Sequence, residues 1–288
     1  MQLLFLAVSI LASTVMWPLN RWLTHREGNA EIYGFWIGCF GALLAGGFSL
    51  ALGENLGDPE TWLIGAVIGA AFSFGYCFAL MRCVRTGPIG PSAAVNNMGL
   101  LWPVLLSAVW MDPHPLRPLH WVGLAATVAA LVLFGTGKSQ AAASGGRQVS
   151  LRWGFWAILT WVSAGTSMSA QLFASLHVPG QQFALLFAFL CVTTLIFFPI
   201  VVRRGRRMFA RTEVAAGAAN GALQVAAIAT MFLALRTLKA EVVFPFSIGT
   251  PVILALFLGA VVYKDRIDRA GAAATALGIA GLVALSIA

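Results

Sequence analysis

The chain has 288 residues, of which 59% are hydrophobic and only 10% are charged. Soluble proteins average about 25% charged residues, so this composition excludes an ordinary soluble enzyme and indicates an integral membrane protein. The net charge of +8 is spread between apolar segments without a continuous basic face, which favours contact with an anionic membrane surface over nucleic acid binding.

Ten apolar segments follow one another along the chain, and each is long enough to cross a bilayer, which takes about 20 helical residues. The first segment has no basic residue before it, while Arg21 and Arg26 follow it, so we interpret it as a retained helix rather than a signal peptide. The sequence therefore predicts an all-α membrane protein with ten transmembrane helices at 2–23, 31–52, 61–82, 91–110, 119–137, 151–174, 182–202, 213–235, 241–262 and 269–287.

Residues of the second half of the chain match residues of the first half in order. Gly65 and Gly69 lie near the start of the third predicted helix, and Gly217 and Gly221 lie near the start of the eighth, 152 positions later. Small residues four apart are common in membrane helices, but several ordered pairs at a nearly constant spacing predict an internal repeat. The other matched pairs are Arg82 and Arg85 with Arg236 and Lys239, Pro91 with Pro245, and Gly123 with Gly271.

A unit of five membrane helices begins on one side of the bilayer and ends on the other, so a second copy must insert upside down. Such inverted repeats, related by a two-fold axis in the membrane plane, are typical of secondary transporters. We predict a first repeat at 1–137, a linker at 138–150 that is rich in Gly, Ala and Ser, and a second repeat at 151–288.

The charges of the loops predict the orientation of the chain. Loops that follow odd-numbered helices carry 15 of the Lys and Arg residues, with Arg203–Arg211 the densest cluster, and the other loops carry 3. Basic loops stay in the cytoplasm. We therefore predict a multi-pass protein of the inner cell membrane with both termini outside the cytoplasm.

Ionisable side chains avoid the interior of the predicted helices. All four His residues lie in loops, and the ten acidic residues lie in loops or at helix starts. A charge at the bilayer centre costs roughly 3 kcal/mol, so such residues persist mainly where function requires them. The predicted helices contain no evident counterpart of the membrane-embedded carboxylate that couples protons to cation efflux. The cysteines lack metal-ligand spacing. We predict no metal site, no cofactor and no enzymatic activity.

Neutral polar residues lie beside prolines in two of the predicted helices. An interior proline removes a helix hydrogen bond, which a membrane tolerates only where protein or cavity water satisfies the freed carbonyl. Broken helices at equivalent places in two repeats indicate a transporter site. We predict that four residues line a central cavity between the halves, with bridging between packed helices as the alternative: Asn96 and Asn97 after Pro91, and Ser247 and Thr250 between Pro245 and Pro251.

Five further residues are predicted as secondary walls of the same cavity: Trp17, Tyr76, Gln171, Asn220 and Gln224. Asn220 and Gln224 are four apart and therefore share one face of the eighth predicted helix. For each of the five, ordinary helix packing or lipid contact is the alternative.

Three segments of the second half resemble the ninth-helix region of the drug/metabolite transporter superfamily, and EamA-like members in particular: Ala240–Pro245, Thr250–Leu254 and Tyr263–Ile267. Lys264–Asp265–Arg266 stands where those proteins have a Gly-Glu-Arg-like signature, and Gly271–Gly281 supplies the small-residue tenth helix. The resemblance implies a ten-helix carrier of small molecules. It also implies both termini in the cytoplasm, which is the opposite of the orientation that the loop charges predict.

The sequence thus predicts a carrier that moves a small polar or amphipathic metabolite by alternating access. A neutral lining favours a neutral or zwitterionic solute over a bare cation. The alternative is a non-transporting membrane scaffold or assembly protein that retains the fold. The expected partners are a small-molecule substrate and the lipid bilayer, not nucleic acid, and the sequence leaves a homodimer open.

Overall fold

The computed structural model describes residues 2–25, 29–86, 95–107, 117–136, 151–205, 209–262 and 269–287. These residues are about 91% helical and contain no strand, which confirms the all-α prediction. The helices of the first part are α1 (Gln2–His25), α2 (Ala30–Leu52), α3 (Pro59–Phe72), the π-helix π1 (Ser73–Leu80), α4 (Met81–Thr86), the 3-10 turn η1 (Met98–Leu100), α5 (Leu101–Leu106) and α6 (Pro118–Thr136). Those of the second part are α7 (Leu151–His177), α8 (Gln182–Val202), α9 (Arg211–Leu235), α10 (Ala240–Val262) and α11 (Arg269–Ile287).

Within the described residues, five segments are long and apolar enough to cross a membrane: Leu3–Asn20, Ala30–Leu52, Pro59–Leu80, Gln182–Val202 and Arg211–Leu235. Shorter apolar helices occur at Val95–Leu106, Pro118–Ala130, Val242–Pro251 and Ala272–Gly281. The length and composition of these helices are those of a membrane protein.

The third and fourth predicted helices differ from simple α-helices. The third extends to Thr86 and passes through the π-helical turns of π1, a distortion that is frequent at functional sites. In the fourth, the described part contains the 3-10 turn η1 before α5, and Pro103 lies inside α5. Pro91 lies outside the described residues, as do the linker at 138–150 and the signature segment at 264–266.

The chain forms two compact units. Unit 1 comprises Met1–Ser73 and Ala170–Thr237, and unit 2 comprises Phe74–Ser169 and Leu238–Ala288. Each unit therefore takes helices from both predicted repeats. The boundaries of the units and of the predicted repeats differ because a compact unit groups helices by packing, whereas a repeat groups them by sequence.

In unit 1, α3 packs on α8 through two glycines. A Cβ atom at Gly65 would lie 2.6 Å from the Cβ of Ala188, and one at Gly69 would lie 2.6 Å from the carbonyl oxygen of Phe189. These distances are too short for any larger residue, so the backbones approach each other as closely as small-residue pairs allow in membranes.

In the same unit, α9 packs on α2 through the matching pair of glycines. A Cβ atom at Gly217 would overlap the Cβ of Trp36, and one at Gly221 would lie 2.9 Å from the carbonyl oxygen of Ile37. These glycines therefore meet residues 36 and 37 of α2. The residues of α8 that meet the glycines of α3 are 188 and 189, which lie 152 positions later.

The ends of the unit 1 helices repeat with the same spacing. Each of three helix boundaries recurs 152 residues later: the end of α1 at His25 and of α7 at His177, the start of α2 at Ala30 and of α8 at Gln182, and the start of α3 at Pro59 and of α9 at Arg211. The spacing that the glycines predict is therefore also the spacing of the helix ends.

Polar side chains in the loops hold these helix ends. The Asn29 side chain accepts hydrogen bonds from the amides of Glu31 and Ile32 at the start of α2. The start of α8 is held differently, because its N-cap residue Gln181 makes no capping bond. There the carboxylate of Glu54, in the loop after α2, accepts a hydrogen bond of 2.7 Å from the Ala184 amide, which supplies one of the partners that a helix start lacks.

In unit 2, α11 packs on α6, again through glycines. A Cβ atom at Gly281 would lie 2.9 Å from the carbonyl oxygen of Gly123, and one at Gly278 would lie 3.5 Å from the Cβ of Ala130. Gly123, one of the predicted repeat positions, thus lies at a close helix contact.

Candidate functional site

Two hydroxyl groups of α10 are buried without a hydrogen bond. The Oγ atom of Ser247 and the Oγ1 atom of Thr250 have no partner, and Ser247 is only 6% exposed. Threonine in a helix usually donates to the carbonyl oxygen four residues earlier. Other threonines of the chain do so: Thr14, Thr127, Thr160, Thr166, Thr193, Thr194 and Thr230. Thr250 is thus an exception.

The two hydroxyls lie between Pro245 and Pro251, both of which are inside α10. Pro251 has no amide hydrogen, so the carbonyl of Ser247 lacks its usual helix partner. A buried hydroxyl donor and a carbonyl deprived of its donor therefore occur at the same residue. This part of α10 can form hydrogen bonds with a polar group that is not part of the helix.

The fourth predicted helix reaches α10 in unit 2. Leu100 is fully buried, and the residues packed against it come from η1, α5, α7 and α10: Met98, Leu101, Met168 and Ile248. Asn97 immediately precedes η1, is 7% exposed, and does not cap it. Asn96 is half-buried. The predicted residues Asn96, Asn97, Ser247 and Thr250 thus all belong to unit 2, on segments that meet around Leu100.

Two tryptophans lie beside this contact. The rings of Trp102 in α5 and Trp161 in α7 meet edge to face with their centroids 5.4 Å apart. The Nε1 atom of Trp161 donates to the carbonyl oxygen of Met98 at 3.3 Å, whereas the Nε1 atom of Trp102 is buried without a partner. A Cβ atom at Gly165 would lie 2.5 Å from the Trp102 ring, so a glycine is required for the ring to lie against α7.

Ser169 adds another unpartnered hydroxyl, four residues after Gly165 and therefore on the same face of α7. Sequence reasoning did not single out Trp102. A tryptophan in a membrane helix most often contacts lipid or core, and its importance depends on Gly165, which is 63 positions away. The described polar groups of this region are hydroxyl, amide and indole groups.

The secondary candidates belong mostly to the other unit. Gln171 and Gln224 are half-buried in unit 1, and Asn220 is buried in the same unit with 3% exposure. Trp17 lies in α1 and Tyr76 in π1, but their side chains lie outside the described residues. The predicted lining is therefore divided between the two units.

Asn220 belongs to a network that the sequence did not predict, which we call the polar triad: Asn20 in α1, Tyr33 in α2 and Asn220 in α9. The Tyr33 hydroxyl donates to Oδ1 of Asn20 at 2.5 Å. The Asn220 amide donates to the same oxygen at 3.2 Å and also to the Tyr33 hydroxyl. Three helices of unit 1 are thus joined by neutral hydrogen bonds.

Two carboxylates in the loop between α2 and α3 have perturbed pKa values. Burial raises the pKa of Glu54, and its hydrogen bonds to the amides of Ala184 and Phe183, with the positive charge of Arg236, oppose that rise. The hydroxyl and amide of Thr61 lower the pKa of Asp58 by bonding to its ionised form. Both groups lie outside the apolar segments and act at helix starts.

In the part of the chain that the structure describes, no three His, Cys, Asp or Glu residues are grouped so that they could hold a metal ion. Cys39, Cys83 and Cys191 are free thiols. The polar groups that the structure describes at the candidate site include the hydroxyls of Ser169, Ser247 and Thr250 and the indoles of Trp102 and Trp161.

No family model and no curated protein matches the chain. Among solved structures, 28 chains match. One of them, described only as a crystal structure of a protein, is similar over 98% of this chain and 96% of its own length, with a TM-score of 0.77 and 19% sequence identity. At that level of identity the similarity shows a shared fold alone.

Proposed function

We propose that the protein is an integral membrane carrier that moves a small polar or amphipathic solute by alternating access. The observation that carries this proposal is the pair of buried, unpartnered hydroxyls at Ser247 and Thr250 between two prolines. Each buried polar group without a partner costs about 1–3 kcal/mol. A bound solute, or the water that precedes it, recovers that cost by forming the missing bonds.

The packing of unit 1 supports the inverted repeats on which such a carrier depends. A two-fold rotation that exchanges α2 and α3 with α8 and α9 turns the contact of α3 on α8 into a contact of α9 on α2. Both contacts occur, and both use glycines and neighbours spaced by 152 residues. This correspondence is what a two-fold axis in the membrane plane produces.

The contact between α2 and α8 supports the same axis. A Cβ atom at Gly38 would lie 3.0 Å from the carbonyl oxygen of Leu190, and these two positions are themselves 152 residues apart. A residue meets its own counterpart only where the two-fold axis passes between them. The axis of the proposed repeats therefore crosses the chain near Gly38.

The proposal includes ten membrane spans, of which five meet the length and composition of a span within the described residues. It also includes membership of the drug/metabolite transporter superfamily, which the chain resembles through its EamA-like segments. For orientation we retain the loop charges, which favour both termini outside the cytoplasm. A reporter fused at Ala288 that is active only outside the cytoplasm tests this choice.

The candidate lining favours a neutral or zwitterionic solute. Hydroxyl, amide and indole groups form hydrogen bonds without supplying a charge, so a bare cation would meet no counter-charge among the described groups of the candidate site and would pay the full cost of losing its water. A solute with its own donors and acceptors can replace water bond for bond.

Flux into proteoliposomes, measured with a panel of neutral, zwitterionic and cationic metabolites, tests the proposal. We expect flux of at least one neutral or zwitterionic solute, and we expect Thr250→Val and Ser247→Ala to reduce it about tenfold or more. Thr193→Val is the matched control, because its hydroxyl is buried but already bonded to Phe189. That control should retain normal flux.

A non-transporting scaffold with the same fold predicts the opposite pattern. It predicts no flux of any solute in the panel. If flux occurs but Thr250→Val behaves like Thr193→Val, the carrier function stands and the site must be sought elsewhere. Asn97→Leu then decides whether the segment before η1 belongs to the site.

A further inference from the structure

The polar triad has a counterpart in unit 1 that is entirely aliphatic. The positions that lie 152 residues away from Asn20, Tyr33 and Asn220 are Leu172, Leu185 and Ile68. All three are buried, with 3%, 2% and 1% exposure, and α8 and α3, which carry Leu185 and Ile68, pack on each other. We call these three residues the aliphatic counterpart. The same three places in the proposed repeat are polar in one copy and apolar in the other.

The triad lies toward one end of unit 1, where other polar links are present. Tyr33 is one turn into α2, whose N-cap residue Asn29 donates its amide to the carboxylate of Glu213 at 3.1 Å. Glu31 forms an ion pair with Arg204 close by in the same unit. The polar triad therefore extends a surface layer of polar contacts into the helix bundle.

The difference between the two sets changes the cost of letting water in. When helices separate at the polar triad, water replaces each lost hydrogen bond, so little free energy is lost. When α3 and α8 separate at Ile68 and Leu185, water meets newly exposed apolar side chains, and this exposure is unfavourable in proportion to its area. The two ends of unit 1 therefore differ in how readily they open.

We propose that the polar triad is a hydrogen-bonded latch that closes one end of the carrier and opens by hydration, while Ile68 and Leu185 of the aliphatic counterpart form a tighter seal where α3 packs on α8 at the other end. The latch breaks the equivalence of the two repeats and makes one side of the transport cycle easier to reach. The proposal rests on the proposed carrier function, but its test measures water access rather than flux.

Two cysteine reporters at equivalent positions test the latch, in a chain whose four native cysteines are replaced by alanine. Ala216 is one turn before Asn220 in α9, and Ile64 is one turn before Ile68 in α3, and both are buried. N-ethylmaleimide reacts with the thiolate, which forms only where water reaches the sulfur. We expect Ala216→Cys to react about tenfold faster than Ile64→Cys, because hydration of the apolar end is costlier.

The latch itself is altered by Asn220→Leu, which makes this end apolar in α9 while the bond between Tyr33 and Asn20 remains. We expect this change to slow the reaction of the Ala216→Cys reporter severalfold and to leave the Ile64→Cys reporter unchanged. Ile68→Leu, a substitution of equal volume at the equivalent position, is the matched control and should change neither rate.

Equal reaction rates of the two reporters in the otherwise unchanged chain would overturn the proposal, and so would an unchanged Ala216→Cys rate in the Asn220→Leu variant. If Asn220→Leu does not fold, the comparison of the two reporters alone decides. If the protein shows no flux in the transport assay but the two reporters react at unequal rates, the proposed function is refuted and the hydration asymmetry stands.

Discussion

Unit 1 contains two helix crossings with matching glycine contacts and different side chains. At one end α9 lies on α2 through Gly217 and Gly221, and at the other α3 lies on α8 through Gly65 and Gly69. Close to the first contact is the polar triad, and at the equivalent positions of the second are aliphatic residues. A close helix crossing restricts which residues fit, but the side chains one turn further on can differ.

This comparison separates architecture from function within one unit. The glycines allow the backbones to approach, and a Cβ atom in their place would meet main-chain or Cβ atoms. The residues around them decide whether the interior is polar or apolar. Four predictions test whether the two ends are equivalent in packing and different in chemistry, from the largest expected effect to the smallest.

Substitution of the crossing glycines should have the largest effect. We expect Gly217→Val and Gly65→Val each to reduce the free energy of unfolding by about 3 kcal/mol, because the added atoms overlap α2 and α8 respectively. Thermal unfolding in detergent, followed by the fraction of monodisperse protein, measures this loss. Gly47→Val is the control, because a Cβ atom at Gly47 meets nothing within 4 Å. A large loss at only one of the two crossings would contradict their equivalence.

Alanine substitutions in the polar triad and in the aliphatic counterpart should reduce the free energy of unfolding by different amounts. Ile68→Ala leaves a cavity in a packed apolar region, and we expect it to reduce the free energy of unfolding by about 2–4 kcal/mol. Asn220→Ala removes two hydrogen bonds but leaves Tyr33 bonded to Asn20, so we expect a loss of about 1–2 kcal/mol. Unfolding of both variants under one set of conditions gives the comparison. A larger loss of unfolding free energy in Asn220→Ala than in Ile68→Ala would mean that the polar triad is the stronger seal.

Removal of one hydroxyl from the triad should have a smaller effect. We expect Tyr33→Phe to reduce the free energy of unfolding by about 1 kcal/mol, since Asn20 keeps its bond from Asn220. A double-mutant cycle with Asn220→Ala should give an interaction energy of about 0.5 kcal/mol or more, because the two side chains are in direct contact. Simple additivity would show that the three residues do not act as a network.

The smallest expected effect concerns the surface near the start of α8. The pKa of Glu54 is raised from its usual value of 4.5, so the folded chain favours the protonated carboxyl. The stability that Glu54 contributes is therefore greatest below pH 4.5 and decreases as pH rises through the raised pKa. Glu54→Gln keeps a neutral acceptor for the Ala184 amide at every pH. We expect the Tm of Glu54→Gln minus that of the unchanged chain to become more positive between pH 4.5 and pH 7.

Asp58→Asn is the matched control for the pH experiment. The pKa of Asp58 is lowered from its usual value of 3.8, so its contribution is present above that value and is lost only as pH falls through the lowered pKa. Its Tm difference should therefore stay constant between pH 4.5 and pH 7. A Glu54→Gln difference that is equally constant would show that burial does not penalise the Glu54 carboxylate.

Much of the helical framework was predictable from local pattern. Long apolar runs must form helices in a membrane, because every backbone polar group has to be satisfied within its own segment. The predicted starts at 182 and 269 and the predicted ends at 52, 202, 235, 262 and 287 agree with the structure. The π-helical turns of π1 were not predictable, because an apolar run has the same local pattern whether it forms an α-helix or a π-helix. Within these turns Gly75 lies so close to α7 that an added Cβ atom would be 2.6 Å from the Cβ of Ser163.

The candidate site was predictable only in part. Ser247 and Thr250 could be selected because prolines flank them in the sequence, and the structure adds that their hydroxyls lack partners. Asn220 was selected as a cavity residue, but Asn20 and Tyr33, which complete its network, were not. They lie 200 and 187 positions from it, and a polar residue near a helix end has no local feature that predicts such a partner.

The amino-acid order of this chain specifies where helices begin, where glycines recur and where prolines interrupt them, because helix formation and close approach depend on residues a few positions apart. Packing alone specifies which polar groups meet. Asn220 bonds to Asn20 and Tyr33 of two other helices, whereas the buried hydroxyl of Thr250 has no partner. The satisfaction of a buried polar group depends on all the atoms that surround it, and distant parts of the chain supply most of those atoms.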